Sequence, residues 1–284
     1  MIGYSAPVDG LRLAYTRDGS GPPVVLLHGW PGSGRDYDTV GELLAAELDV
    51  VVPDLRGFGE SDRDPTGAPT AYSAEAQAAS VLGLVRELEL DCPVLGGFDI
   101  GSRVAQAVTR LEPDAARGLV VSPPLPGIGE RILTPSAQSE FWYQAFHQLR
   151  LADELIDGNQ AAVRAYMAHF YNHWSGPAWT PPADMIELYA RPGAFRSSMS
   201  WYRAGAGAVA QACAERVPPR EERIDVPTTV LWGERDPLFP PDWSDRLDDF
   251  FTDVELRLLA EVGHFMPLEA ATKFAQAIRE RSTG

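Results

Sequence analysis

Between Leu95 and Ala107 the chain reads LGGFDIGSRVAQA, and Gly97-Phe98-Asp99-Ile100-Gly101 within it has the form G-x-D-x-G. An apolar run precedes this pattern and a helical one follows it. A serine at its centre would be the exposed hydroxyl of a sharp strand-to-helix turn. An aspartate offers different chemistry: its carboxylate can attack an sp3 carbon and become an ester. Standing at the head of a helix, Asp99 is favoured as the carboxylate over the acid. Aspartate is also a preferred helix N-cap, so the residue alone admits both readings.

Three other segments bear on the choice. HGWPGS, His28 to Ser33, follows a strand-like run. Such a loop can aim a backbone amide at a developing oxyanion, with a second amide from the residue after the nucleophile. Those donors would be Trp30 and Ile100. The loop must turn sharply to do this, so the Trp30-Pro31 bond is expected to be cis. His28 itself reads as structural. In LWGERDPLF, Asp236 follows an apolar run and could orient a histidine, whereas Asp54 in PDLRGFGES precedes the nucleophile. The order nucleophile, acid, histidine favours Asp236. In EVGHFMPLE, His264 is the only one of five histidines C-terminal to Asp236.

These residues need a frame. Apolar runs at Pro22 to Gly29, Leu48 to Gly57, Cys92 to Asp99, Arg117 to Pro124, Val226 to Asp236 and Val254 to His264 each end in turn residues. Runs such as VVLL and VVV predict strands buried on both faces, as in a parallel sheet. Helices are expected over Gly41 to Leu48, Ala74 to Leu88 and Ser102 to Leu111, the last with Val104, Val108 and Leu111 on one face. The alternation implies an α/β fold with helices on both sides of a mostly parallel sheet. It breaks between about Gly127 and Val217, where SEFWYQAFHQLRLADELI and NQAAVRAYMAHFYNHW are amphipathic and Trp142, Trp174, Trp179 and Trp201 occur. This implies a helical cap inserted between two late strands, dividing the chain into core 1–127, cap 128–216 and core 217–284. RVPPREERIDVP has the composition of a return linker.

The 284 residues carry 24 Lys and Arg against 40 Asp and Glu, a formal charge of −16. That balance repels nucleic acid and anionic lipid, and helps an anionic substrate only where a local cation compensates. No run of 18 apolar residues predicts a membrane span, and the N-terminal stretch has no signal-peptide pattern. Two cysteines, Cys92 and Cys213, imply no disulfide framework and fit a cytoplasmic setting. His169 and His173, four apart, have metal-ligand spacing, but no carboxylate or cysteine joins them at a convincing spacing, so a lid face is expected and no metal. The sequence leaves monomer and homodimer both open.

The order HGWP, DLRGFGES, G-x-D-x-G, GERD and GHF resembles the α/β-hydrolase superfamily over nearly the whole chain. With an Asp nucleophile beside HGWP, it resembles the epoxide hydrolases in particular. That resemblance implies two cap tyrosines holding the epoxide oxygen, matched here by Tyr143 in EFWYQAF and Tyr202 in MSWYRAG, with no cofactor. Phenols suit the task, because ring opening leaves an alkoxide in need of a proton. Trp142, Phe146 and Trp201 are expected as pocket walls. Neighbouring families differ. Fluoroacetate-type dehalogenases place Arg directly after the nucleophile and again four residues after it; here these are Ile100 and Arg103. Tyr143 and Gln144 stand where they have a His-Trp pair. Haloalkane dehalogenases hold halide with a Trp where Ile100 stands. Some relatives take the triad acid from the loop after the preceding strand, which here reads VSPPLPG with no acid until Glu130. The expected activity is hydrolysis of an epoxide, a small-molecule substrate of unspecified size, to a vicinal diol. The alternatives are a dehalogenase using the same aspartate and a non-catalytic ligand-binding protein on this fold.

Overall fold

The computed structural model describes residues 1–64, 66–179 and 186–283. An eight-stranded sheet runs in the order β1-β2-β4-β3-β5-β6-β7-β8. The strands are β1 (Gly3–Tyr4), β2 (Ala14–Gly19), β3 (Pro23–Leu27), β4 (Asp49–Pro53), β5 (Val94–Gly97), β6 (Gly118–Val121), β7 (Thr228–Gly233) and β8 (Val254–Leu259). From β4 to β8 every pairing is parallel, while β1 and β2 are antiparallel additions at one edge. Six strands therefore stand where the apolar runs predict them, and two do not appear in that pattern. β2, AYTRDG, turns polar toward its end and is half solvated, so it lacks the doubly apolar signature. β8 is the edge strand at the far side, and Leu256 and Leu258 on it are exposed.

Helices α1 (Asp38–Leu44), α2 (Ala74–Glu87), α3 (Ile100–Leu111) and, after the cap, α10 (Met266–Glu269) and α11 (Ala271–Ser282) flank the sheet. α1 begins three residues before its expected start, because a 3-10 turn over Gly34–Tyr37 feeds directly into it. On α3, Val104 and Val108 are buried against the sheet, but Leu111 is 49% exposed at the helix end. The expected face stops one turn short.

Between β6 and β7 every described element is helical: a 3-10 turn Gly129–Leu133, α4 (Pro135–Glu140), α5 (Trp142–His147), α6 (Arg150–Ile156), α7 (Gln160–Trp174), a 3-10 turn Leu188–Ala190, α8 (Ala194–Arg203), α9 (Ala208–Ala214) and a 3-10 turn Arg220–Glu222. Capping explains several of their starts. Thr134 and Asn159 accept from the amides of Ala137 and Ala162 at the heads of α4 and α7. This insertion lies over the C-terminal ends of the parallel strands, the edge where open α/β sheets present their ligands. Among the described residues no helix is long and apolar enough to cross a membrane.

Candidate active site

β5 ends at Gly97 and α3 begins at Ile100, so the chain reverses within two residues. Asp99 takes φ 49° and ψ −120°, a conformation that costs an ordinary residue about 1–3 kcal/mol. Two glycines make the turn possible. A Cβ on Gly97 would meet the main chain of Gly101, and one on Gly101 would overlap the Leu27 carbonyl. Asp99 occupies the N-cap position of α3, yet its side chain caps nothing. Its Oδ1 accepts from the Trp30 amide at 2.6 Å, and its Oδ2 lies 3.3 Å from His264 Nε2. The capping explanation for this aspartate is removed by that geometry.

His264 sits on the loop after β8, fully buried, with Nδ1 2.8 Å from Asp236 Oδ2. Asp236 Oδ1 accepts from the amides of Leu238 and Phe239, which fixes the carboxylate. Nδ1–H therefore donates to Asp236, and Nε2 faces Asp99. Burial pushes the imidazole down. The charge and hydrogen bond of Asp236, followed by those of Asp99, outweigh it and raise His264 to about 10. Asp54 is committed elsewhere, accepting from the amides of Gly34 and Glu60. His28 holds main chain on two sides, between Gly29 O and the Leu55 amide, as a structural histidine would. The Trp30-Pro31 bond is cis.

A narrow cavity is lined by Asp99, Ile100, Arg103, Tyr143, Tyr202 and Phe239, with Trp201 and Gln144 beside them. The Tyr143 and Tyr202 rings cross at 89° with centroids 5.7 Å apart. Burial pushes both phenols well above their usual value, and the Asp99 charge adds to it. Both remain protonated donors through any ordinary pH. Gln144 Nε2 donates to the Tyr143 hydroxyl at 3.1 Å. Arg103 lines the same cavity, and its Nε is buried without a hydrogen-bond partner.

Two expected wall residues lie elsewhere. Trp142 is 42% exposed and Phe146 packs on Trp142 and Tyr166 at the outer side of the cap, so neither lines the cavity. The turn between α4 and α5 aims Tyr143 inward, and its neighbour Trp142 consequently faces out. His169 and His173 stack at 5.7 Å, and His173 contacts Glu140. Among the described residues no group of three potential metal ligands occurs.

Other site residues escape sequence reading. Phe239 stacks on His264 with centroids 5.9 Å apart, and Trp174 meets it edge-on at 5.4 Å. Phe239 lies three residues after Asp236, so LWGERDPLF contains that signal. Glu269 accepts from the amides of Gly263 and Phe265, on either side of His264, and from that of Gly176 in the cap. The cap residues Tyr171 and Tyr189 reach the Trp30 loop. Nothing in a single sequence marks these as neighbours.

Across 97% of this chain, a soluble epoxide hydrolase of Corynebacterium sp. (strain C12) is 27% identical, over 98% of its own length. Haloalkane dehalogenase 2 of Mycobacterium tuberculosis is 26% identical, over 95% of this chain and 91% of its own. The crystal structure of a Bacillus megaterium epoxide hydrolase superposes with a TM-score of 0.82 at 19% identity, covering 99% of this chain and 100% of that one, a likeness of fold. The family described as alpha/beta hydrolase fold matches residues 22–271. With this sheet, this turn at Asp99 and that match over most of its length, the chain belongs to the α/β-hydrolase family.

Proposed function

We propose that the protein is an epoxide hydrolase that works through an ester of Asp99. The observation that carries this reading is one carboxylate with His264 on one oxygen and the Trp30 amide on the other, in a cavity shared with two buried phenols. Oδ2 is the more loosely held oxygen and attacks one epoxide carbon. A C–O bond of the ring breaks, and the emerging alkoxide takes its proton from Tyr143 or Tyr202, a transfer favoured because an alkoxide is far more basic than a phenolate. Alkylation removes the Asp99 charge that helps hold the proton on His264. Burial then regains ground, and the imidazolium gives up its proton, which restores the tyrosine ionised in ring opening, and becomes a base. His264 takes a proton from water, hydroxide adds to the ester carbonyl, and the charge gathers on Oδ1 beside the Trp30 amide, with the Ile100 amide as second donor. The intermediate collapses, the departing alkoxide takes the proton of the added hydroxyl, and the products are the Asp99 carboxylate and a vicinal diol. The scheme uses no metal and no organic cofactor.

A dehalogenase is the second reading, favoured by the unpartnered Arg103 Nε in the cavity and by the Mycobacterium relative. Wild type and Asp99→Ala are assayed on styrene oxide and on chlorinated and fluorinated alkanes and acids. Diol formation by wild type and not by the variant supports the proposal. Halide release without diol formation replaces it with the dehalogenase. Ligand binding without turnover of either kind indicates a binding protein.

A further inference from the structure

The cap grips the loop that carries the Trp30 amide. The Tyr189 hydroxyl accepts from the Gly32 amide at 2.7 Å and donates to the Gly32 carbonyl at 3.0 Å, so one side chain occupies both main-chain groups of one residue. The Tyr171 hydroxyl donates to the Pro31 carbonyl at 3.1 Å. Trp30 Nε1 donates to Ser198 Oγ at 3.3 Å. Three separate cap elements thus hold residues 30–32: α7 through Tyr171, the Leu188–Ala190 turn through Tyr189 and α8 through Ser198. Tyr171, Tyr189 and Ser198 are all buried. The Trp30 ring is also packed among Tyr143, His147, Phe170, Trp174 and Tyr202. But residues 28–33 belong to no strand or helix, and among the described residues the hydrogen bonds to the main chain of residues 31–32 come from Tyr171 and Tyr189. An oxyanion donor is effective only when its amide is held within tenths of an ångström of the charge it stabilises.

We propose that Tyr189 and Tyr171 are positioning residues that set the Trp30 amide against Asp99 Oδ1, so that the oxyanion donor is complete only while the cap is seated. This rests on the covalent reading above and adds a consequence specific to these tyrosines. During alkylation, negative charge leaves Asp99, so a looser Trp30 amide costs that step little. During ester hydrolysis, charge builds on Oδ1, and the same loosening costs the full donor. Loss of the latch therefore slows the second step and spares the first. A merely structural role would change both steps together.

The test is single-turnover mixing of styrene oxide with wild type, Tyr189→Phe, Tyr171→Phe and the double variant, following free enzyme and ester by intact mass. Each substitution removes one hydroxyl and keeps the ring, and circular dichroism melting confirms folding. Each single variant is expected to slow ester decay about 3- to 10-fold, and the pair to approach the roughly 100-fold of a lost oxyanion donor, with ester formation near the wild-type rate. Ester should accumulate at steady state. Tyr4→Phe removes an exposed hydroxyl from β1, outside the cap, and should behave as wild type. Unchanged decay in the folded double variant, or equal slowing of formation and decay, overturns the latch while leaving the ester mechanism standing. Epoxide turnover by wild type with no ester at any time overturns the covalent reading, and the latch with it.

Discussion

Removal of the two cavity phenols separates epoxide opening from halide displacement. Tyr143 and Tyr202 line one cavity with Asp99, and their crossed rings lie 5.7 Å apart, close enough to serve one substrate oxygen. A hydrogen bond to a charged group is worth about 1.5–3 kcal/mol. Loss of either donor from the forming alkoxide should slow alkylation of Asp99 roughly 10- to 150-fold. Tyr143→Phe and Tyr202→Phe together leave that oxygen with no proton source and should fall by at least a further factor of about 10, short of strict additivity because the hydroxyls share a target. The two variants differ in stability. Tyr143→Phe strips Gln144 Nε2 of its acceptor in a buried setting, which costs about 1–3 kcal/mol, and it should melt lower than Tyr202→Phe. The assay is rapid-quench alkylation on styrene oxide beside a matched alkyl bromide. Bromide leaves as a stable anion, so its displacement should change far less. A double variant with full epoxide turnover, or with equal losses on both substrates, refutes the role given to these residues.

His264 should respond to the charge on Asp99. In Asp99→Asn, which loses that charge as the ester does, the imidazole should titrate below the wild-type value of about 10, read by nitrogen NMR; no change would remove the argument for base activation. In wild type the imidazolium's contribution to stability is complete below the unfolded value of about 6.5 and fades as pH rises toward the folded value, so the melting temperature should fall on the alkaline side and less so in His264→Gln. Asp236→Asn keeps a group able to accept from Leu238 but upsets the tautomer of His264, and should slow ester hydrolysis by up to about 10⁴-fold with alkylation largely spared. Trp142→Ala should leave KM for styrene oxide unchanged, since that ring faces outward; a large rise in KM would return it to the pocket.

What the sequence discloses follows from where the information is local. The central strands are buried on both faces, so Val24 to Leu27 and Val50 to Val52 stand out as apolar runs, and the turn residues after β5 and β7 mark the strand ends where Asp99 and Asp236 sit; His264 follows the edge strand β8, whose run VELRLL is only half buried. The elbow is legible because its glycines are needed within four residues of each other. β1 and β2 are not, since a half-solvated edge strand has no doubly apolar run. Cap residues are harder still. Whether Tyr143 or Trp142 faces the cavity depends on the turn between α4 and α5, where a shift of one residue rotates the helix by about 100°. Contacts such as Tyr189 with Gly32, 157 positions apart, are set by tertiary packing alone.

The central claim is that Asp99 is alkylated and then hydrolysed by water that His264 activates. His264→Gln incubated with styrene oxide tests it most directly, by intact mass followed by peptide mapping. The account predicts a stable adduct of one epoxide on the peptide that contains Asp99, formed at close to the wild-type alkylation rate and lost only slowly. A variant that forms no adduct while wild type turns the same epoxide over would contradict it, as would an adduct mapped to any residue other than Asp99.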